Sequence, residues 1–302
     1  MQKTLLKPVS LAGFGFWRCK DVVVTLEPAA PDEGIVFLRD DLPNSEPIAA
    51  KLENRVAVER RTSLGIRKHG QTVVQVDMVE HILAALFAMR ITNCRIHVNA
   101  QELPALDGSA LHYVKAIAEA GTVDQPGTQT KWRIVEPIRV ESDTAFLEVV
   151  PPLPDDVAAS VHYELNYPHS PDIGKQEFTT QFVPQALQKE VAPARTFATH
   201  REATALQQAG YCRRVTTQNC LVFTGSGVLE NTLRFDNECA RHKVLDLTGD
   251  MFLGGIEWIG RFHGVGSGHE LNSLMLEKLL QQWRENNCLN GARSRQVQLS
   301  AP

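Results

Sequence analysis

Residues 241–252 read RHKVLDLTGDMF, and how they are accommodated decides how the rest of the chain must be assembled. His242, Asp246 and Asp250 stand four apart in an otherwise apolar run. At about 3.6 residues per turn, such positions stack on one face of a helix. An imidazole and two carboxylates then form a column flanked by Val244, Leu245, Leu247, Met251 and Phe252. Taken alone, His242 and Asp246 make an i, i+4 pair on a solvated face, stabilising by about 0.2–0.5 kcal/mol. The apolar neighbours weaken that reading, because a buried carboxylate needs a partner or a metal ion.

The chain has 302 residues, room for one large domain or two ordinary ones. Its first third alternates in strand fashion through DVVVTLEPA, GIVFLRDDL, NRVAVERRTSLGI and QTVVQV. The period then changes, and VDMVEHILAALFAMR predicts a helix with Asp77 as its N-cap. A strand (NCRIHVNA), a turn (LPALDGSA) and a helix closed by Gly121 follow. Residues 122–131 are polar and aperiodic, which marks a boundary. Beyond it WRIVEPIRVES, AFLEVVPPL, AASVHYELNYP, KQEFTTQFV and NCLVFTG predict strands. HREATALQQAG, the His242 segment and ELNSLMLEKLLQQWREN predict helices. The two halves share an outline: strands, a helix bearing histidine and carboxylates, a strand, a last helix. The expected fold is α+β, with two domains of similar topology, residues 1–125 and 126–302. Each is a sheet packed on helices, and each contributes one helix to a shared cleft.

Composition narrows the function. A net charge of −4 without any basic block excludes a nucleic-acid surface. No apolar run reaches the roughly 18 residues of a membrane span, so no stable membrane insertion is expected. Pro8 and the early glycines interrupt any signal-peptide core. The six cysteines are scattered without a C-x-x-C pair and read as free thiols of a cytoplasmic protein.

Glu80 and His81 open the helix of the first half. Neighbours on a helix cannot both ligate one ion, but one can ligate while the other works beside it. Metallohydrolases divide labour in this way, with imidazoles and a carboxylate holding zinc and a free glutamate acting as base. His81, His242 and Asp246 supply the three ligands and Glu80 the base. The alternative for Glu80 is a favourable interaction with the helix dipole. His269, in GVGSGHEL, is a candidate general acid, with Asp250 orienting it. Gly266 and Gly268 let a ligand approach the backbone there. A zinc hydrolase is the resulting expectation, although iron(II) accepts the same donors. No H-E-x-x-H helix is present, which disfavours a zinc peptidase.

Together VEHILAAL, NAQELPALDGSA, ARTFA, LRFDNECARHKVLDLTGDMFL and SGHELNS resemble the UDP-3-O-acyl-N-acetylglucosamine deacetylases, zinc amidases of lipid A biosynthesis. The resemblance covers nearly the whole chain. It implies two like α+β domains meeting at the active site, each with a small insertion, the second shaping a tunnel for an acyl chain. It implies zinc on His81, His242 and Asp246, Glu80 as base, and His269 as catalytic histidine with Asp250 behind it. Thr196 matches the residue that helps hold the amide oxygen, and Phe197, Lys243 and Gly268 belong to the substrate site. The implied protein is a monomer acting on a nucleotide-sugar substrate.

The sequence departs from that family where substrate is held. Trp17 and Cys19 in GFGFWRC replace the histidine and glycine of G-x-G-x-H-[ST]-G, and Met78 replaces threonine before VEH. Gly266 stands where lysine is usual, and an uncharged residue cannot replace an ammonium. Arg213–Thr216, RRVT, replaces small residues and is expected to narrow or charge the acyl passage, with Arg213 or Arg214 as a substitute cation. The function expected is hydrolysis of the N-acetyl group of UDP-3-O-acyl-N-acetylglucosamine. The alternatives are a paralogous deacetylase for another N-acetylated sugar and, less favoured, a non-catalytic binding protein of the same fold.

Overall fold

A computed structural model describes the backbone of residues 1–299 and the side-chain surroundings of residues 1–288. The first half runs β1 (Gln2–Leu5), β2 (Val9–Phe14), β3 (Asp21–Pro28), β4 (Ile35–Arg39), β5 (Ile48–Ala49), β6 (Arg55–Val56), β7 (Ser63–Lys68) and β8 (Gln71–Asp77). It continues with α1 (Glu80–Ala88), β9 (Cys94–Val98), α2 (Leu111–Ala120) and β10 (Thr122–Gln125). The second half runs β11 (Lys131–Arg133), β12 (Ile138–Glu141), β13 (Phe146–Val150), β14 (Ser160–Tyr167), β15 (Gly174–Gln181) and α3 (Pro184–Ala186). Then come β16 (Phe197–Thr199), α4 (His200–Gln208), β17 (Leu221–Phe223), α5 (Glu238–Phe252), β18 (Glu257–Ile259), β19 (Arg261–Val265) and α6 (His269–Leu299).

Two five-stranded sheets carry the same wiring. In the first the order is β2-β3-β9-β4-β5, in the second β12-β13-β19-β14-β15. In each, only the junction of third and fourth strands is parallel, β9 with β4 and β19 with β14. The fold is therefore α+β, built from two sheet-over-helix units of like topology. Alternation follows the pleat: Val22, Val24 and Leu26 of β3, and Val161, Tyr163 and Leu165 of β14, turn one face inward. Two insertions interrupt the pattern: the three-stranded sheet β6-β7-β8 ahead of α1, and the β16–β17 pair with α4 ahead of α5.

Helices α1 and α5 pack against each other in the interior. Ile82, Leu83, Ala84, Ala85, Leu86 and Ala88 of α1 are all buried, as are Val244, Leu245, Leu247 and Met251 of α5. A helix buried on every side must be covered on every side, and these two cover each other. Gly249 permits the contact, since a Cβ there would overlap the backbone carbonyl of Glu80.

Two sequence expectations need correction. Asp77 is not the cap of α1: it ends β8 and accepts hydrogen bonds from Ser63 and Gln75. Met78, at φ 64°, turns the chain, and Val79 takes the N-cap without a side-chain bond. The strand expected through residues 54–66 is broken, with residues 57–62 looping between β6 and β7. The aperiodic stretch 122–131 holds β10, paired antiparallel with β1, and the start of β11 at Lys131.

Candidate active site

The buried column of α5 meets the first turn of α1. His242, Asp246, Asp250 and Glu80 are at most 4% exposed, so each charge there needs a partner inside the protein. His81 Nε2 lies 3.8 Å from Asp246 Oδ1, and His242 Nε2 lies 3.4 Å from the same oxygen. The two imidazoles meet edge to face, centroids 5.1 Å apart. One donor atom from each of the three residues falls within 4.8 Å of the others. Donors about 2.0–2.2 Å from a tetrahedral ion sit roughly 3.3–3.6 Å apart, so the cluster fits a transition-metal ion with little movement.

Electrostatics agree with that fit. Burial pushes the His242 imidazole down to about 4, leaving it neutral, and its Nδ1 is held by the Ala194 carbonyl at 3.1 Å. Nε2 then offers its lone pair to the cluster. Burial alone would raise Asp246, but the Lys243 ammonium and the neighbouring imidazoles hold its carboxyl well below the usual range. Lys243 Nζ reaches Asp246 Oδ2 at 2.7 Å, leaving Oδ1 toward the imidazoles.

On either side of the cluster stand two titratable groups, both shifted upward. Burial lifts the Glu80 carboxyl above the usual range. His269, first residue of α6, donates from Nδ1 to Asp250 Oδ2 at 2.9 Å. Burial pulls this imidazolium down, and the carboxylates of Asp250, Asp246 and Glu80 outweigh it, lifting the pKa to about 9. Thr62, in the loop before β7, ties the two together. Its N–H donates to Glu80 Oε2 at 3.0 Å, and its hydroxyl donates to Asp250 Oδ1 at 2.5 Å while lying 3.1 Å from His269 Nδ1. Sequence reasoning missed Thr62, since a lone threonine in ERRTSLG has no spacing that marks it.

These groups open into a cavity of about 1490 Å³ whose wall includes Glu80, His81, Thr196, Phe197, His242, Lys243, Asp246, Gly268 and His269. Asp250 stands behind His269. Phe197 sets its ring edge to face against His242, centroids 6.3 Å apart. Thr196 is pinned through its backbone N–H to Gly108 O at 2.8 Å, in the LPALDGSA turn. All ten candidate residues thus belong to one site.

A family model described as UDP-3-O-acyl N-acetylglycosamine deacetylase matches residues 2–281. The chain belongs to this family. It is similar to the UDP-3-O-acyl-N-acetylglucosamine deacetylase of Chlamydia caviae, 36% identical over 281 residues, 93% of this chain and 97% of the relative. That of Nautilia profundicola is 33% identical over 93% of this chain and 92% of its own length. That of Brucella melitensis is 33% identical over 92% and 95%. The deacetylase family consists of metalloenzymes, in keeping with the donor cluster.

The departures from the family pattern resolve unevenly. Trp17 lines the cavity, its indole N–H 3.3 Å from Met78 Sδ and the Arg61 guanidinium 4.8 Å above its ring. Gly266, at φ 60°, lines it without charge. Of RRVT, Val215 and Thr216 reach the wall. Neither arginine lines the cavity. Both are exposed, and Arg214 pairs with Asp21 at 2.6 Å while stacking over Phe14. Arg60 and Glu202, paired at 3.2 Å, do line the cavity, and the sequence did not single them out.

Proposed function

We propose that the chain is a zinc-dependent deacetylase that hydrolyses the N-acetyl group of UDP-3-O-acyl-N-acetylglucosamine to the free amine and acetate, in lipid A biosynthesis. The observation that carries this reading is the meeting of His81 from α1 with His242 and Asp246 from α5, flanked by Glu80 and His269. His81, His242 and Asp246 hold the ion, with zinc the natural occupant of an imidazole–imidazole–carboxylate set and iron(II) the competitor. When bound, the ion supplies Lewis acidity, polarising the amide carbonyl and acidifying the attacking water.

The chain's own residues do the rest. Glu80, raised by burial yet held by the Thr62 N–H, takes the proton of the attacking water. The Thr196 hydroxyl donates to the oxyanion that develops on the acetyl carbonyl. His269, with Nδ1 committed to Asp250, presents Nε2–H and gives the departing amine its proton. Lys243 neutralises Asp246 Oδ2 and keeps that carboxylate ionised. Phe197 and Gly268 shape the wall against which the sugar lies. We take residues 1–125 and 126–302 as the two domains, and the protein as a cytoplasmic monomer.

A second reading, a deacetylase for another N-acetylated sugar, draws on Gly266 and on Glu202 in the cavity wall, since neither favours an anionic diphosphate. One assay separates the two: acetate release by zinc-reconstituted protein from UDP-3-O-(hydroxyacyl)-N-acetylglucosamine, with Glu80→Ala and chelated protein as controls. Turnover lost in both controls is the expected outcome. Stoichiometric zinc without acetate release would transfer the assignment to sugars lacking the acyl chain.

A further inference from the structure

The outer face of the second sheet holds another cluster of donors, on strands that the reaction does not use. His162 and Glu164 lie two apart on β14, so both point to the same side. β14 and β19 run parallel with His162 directly opposite His263. Neighbouring strands are about 4.7–4.9 Å apart, and the register therefore brings two imidazoles and a carboxylate to one spot. His263 Nε2 is 2.8 Å and His162 Nε2 is 3.4 Å from Glu164 Oε1. The imidazole centroids are 5.1 Å apart, and one donor atom from each residue lies within 4.8 Å of the others.

We propose that His162, Glu164 and His263 form a second, surface metal site that takes a divalent transition ion of the zinc, nickel or copper class. Three features distinguish it from an incidental polar patch. Its donors come from strands at the middle of the five-stranded sheet, which fixes their backbones. His162 Nδ1 is already engaged by Thr179 Oγ1 at 2.8 Å, across the β14–β15 pair, so Nε2 is turned to the ligand position as an outer hydrogen bond does at metal centres. Phe146 sets its ring edge to face against His263 at 5.1 Å and holds that imidazole from one side. Hydrogen bonding from His263 holds the Glu164 carboxyl below its ordinary range, so the carboxylate is ionised at neutral pH. Two imidazoles and one carboxylate suit zinc, nickel and copper, not magnesium or calcium, which prefer oxygen donors.

The site differs from the catalytic cluster in consequence as well as place. All three residues are at least partly exposed, so the ion exchanges with solvent and keeps water in its remaining positions. It joins β14 to β19 where those strands lead toward the catalytic loop. The Gly266 N–H bonds Glu164 O at 2.9 Å, and Tyr163 donates to Ser267 O at 2.5 Å.

The test is a zinc titration of the full chain against a chromophoric chelator, read as bound equivalents per chain. Wild type takes a tight equivalent and a weaker second one. His162→Ala and His263→Ala each weaken the second at least tenfold while acetate release stays within twofold. Copper(II) added to zinc-loaded protein gives a resonance spectrum with two-nitrogen coupling, which either variant removes. A single equivalent in wild type, or a second that survives both substitutions, overturns the site. The outcome is independent of the proposed reaction, because the variants change metal content and not turnover.

Discussion

Burial and charge pull the His269 imidazole in opposite directions, and charge wins. Desolvation favours its neutral form, yet the Asp250 carboxylate at 2.9 Å, helped by Asp246 and Glu80, brings the pKa to about 9. A folded-state pKa above the ordinary 6.5 means that the protonated acid persists through neutral pH and is lost as pH rises through that value. With His269 as the proposed acid, the alkaline limb of kcat/KM is expected to report this proton. In Asp250→Asn the attraction is gone and the desolvation remains. The limb is expected to move down by roughly 1–2 pH units, with kcat reduced at pH 8 more than at pH 6. A profile whose alkaline limb stays in place would remove His269 from the role of acid. Thr62 shows why this arrangement was only partly legible in the sequence. Four-residue spacing exposes a column on one helix, but a hydroxyl from a distant loop is brought in by tertiary structure alone.

The helix pair α1–α5 sets the distance between Glu80 and the donor cluster of His81, His242 and Asp246. Gly249 sits mid-helix, where glycine costs about 1 kcal/mol relative to alanine, and the crossing explains its presence. A Cβ at that position overlaps the Glu80 carbonyl, and backbone on the other side cannot yield as a flexible side chain would. Gly249→Ala gains helix propensity and loses the close approach, and overpacking of this kind costs about 1–3 kcal/mol. We expect a lower urea midpoint. We also expect a fall in kcat larger than the stability loss explains, because Glu80 moves with its backbone. A variant as stable and as active as wild type would show that the crossing tolerates separation. Element patterns were otherwise readable: period-two burial in β3 and β14 and the glycine stop of α2 at Gly121 match their segments. The N-terminus of α1 was not. Asp77 is an ordinary capping residue, and only pairing of β8 with β7 assigns its carboxylate to Ser63. Likewise RRVT showed two arginines without showing that Arg214 would find Asp21 across the surface.

For the whole molecule, the donor cluster is a link between sequence-distant parts. His81 belongs to the helix that follows the first insertion, whereas His242 and Asp246 belong to the helix that follows the second. An ion held by all three joins the two sheet-over-helix units across the α1–α5 contact. An unfolded chain has no such preformed site, so binding free energy becomes stability, about 2.7–4.1 kcal/mol at 100 to 1,000 times Kd. Chelation is therefore expected to abolish turnover and also to lower Tm, by on the order of 2 °C per kcal/mol for a chain of this size. The variants separate the two effects. Glu80→Ala is expected to be inactive yet to keep its metal-dependent rise in Tm, because Glu80 is proposed as the base and stands outside the donor cluster. His81→Ala loses activity and the rise together, since two donors from α5 alone no longer bridge the units. Differential scanning calorimetry of each protein with and without chelator makes the comparison. Equal melting of metal-loaded and chelated wild type would mean that the ion adds nothing across the α1–α5 contact, and the cluster would then be a catalytic centre set into an already rigid interface.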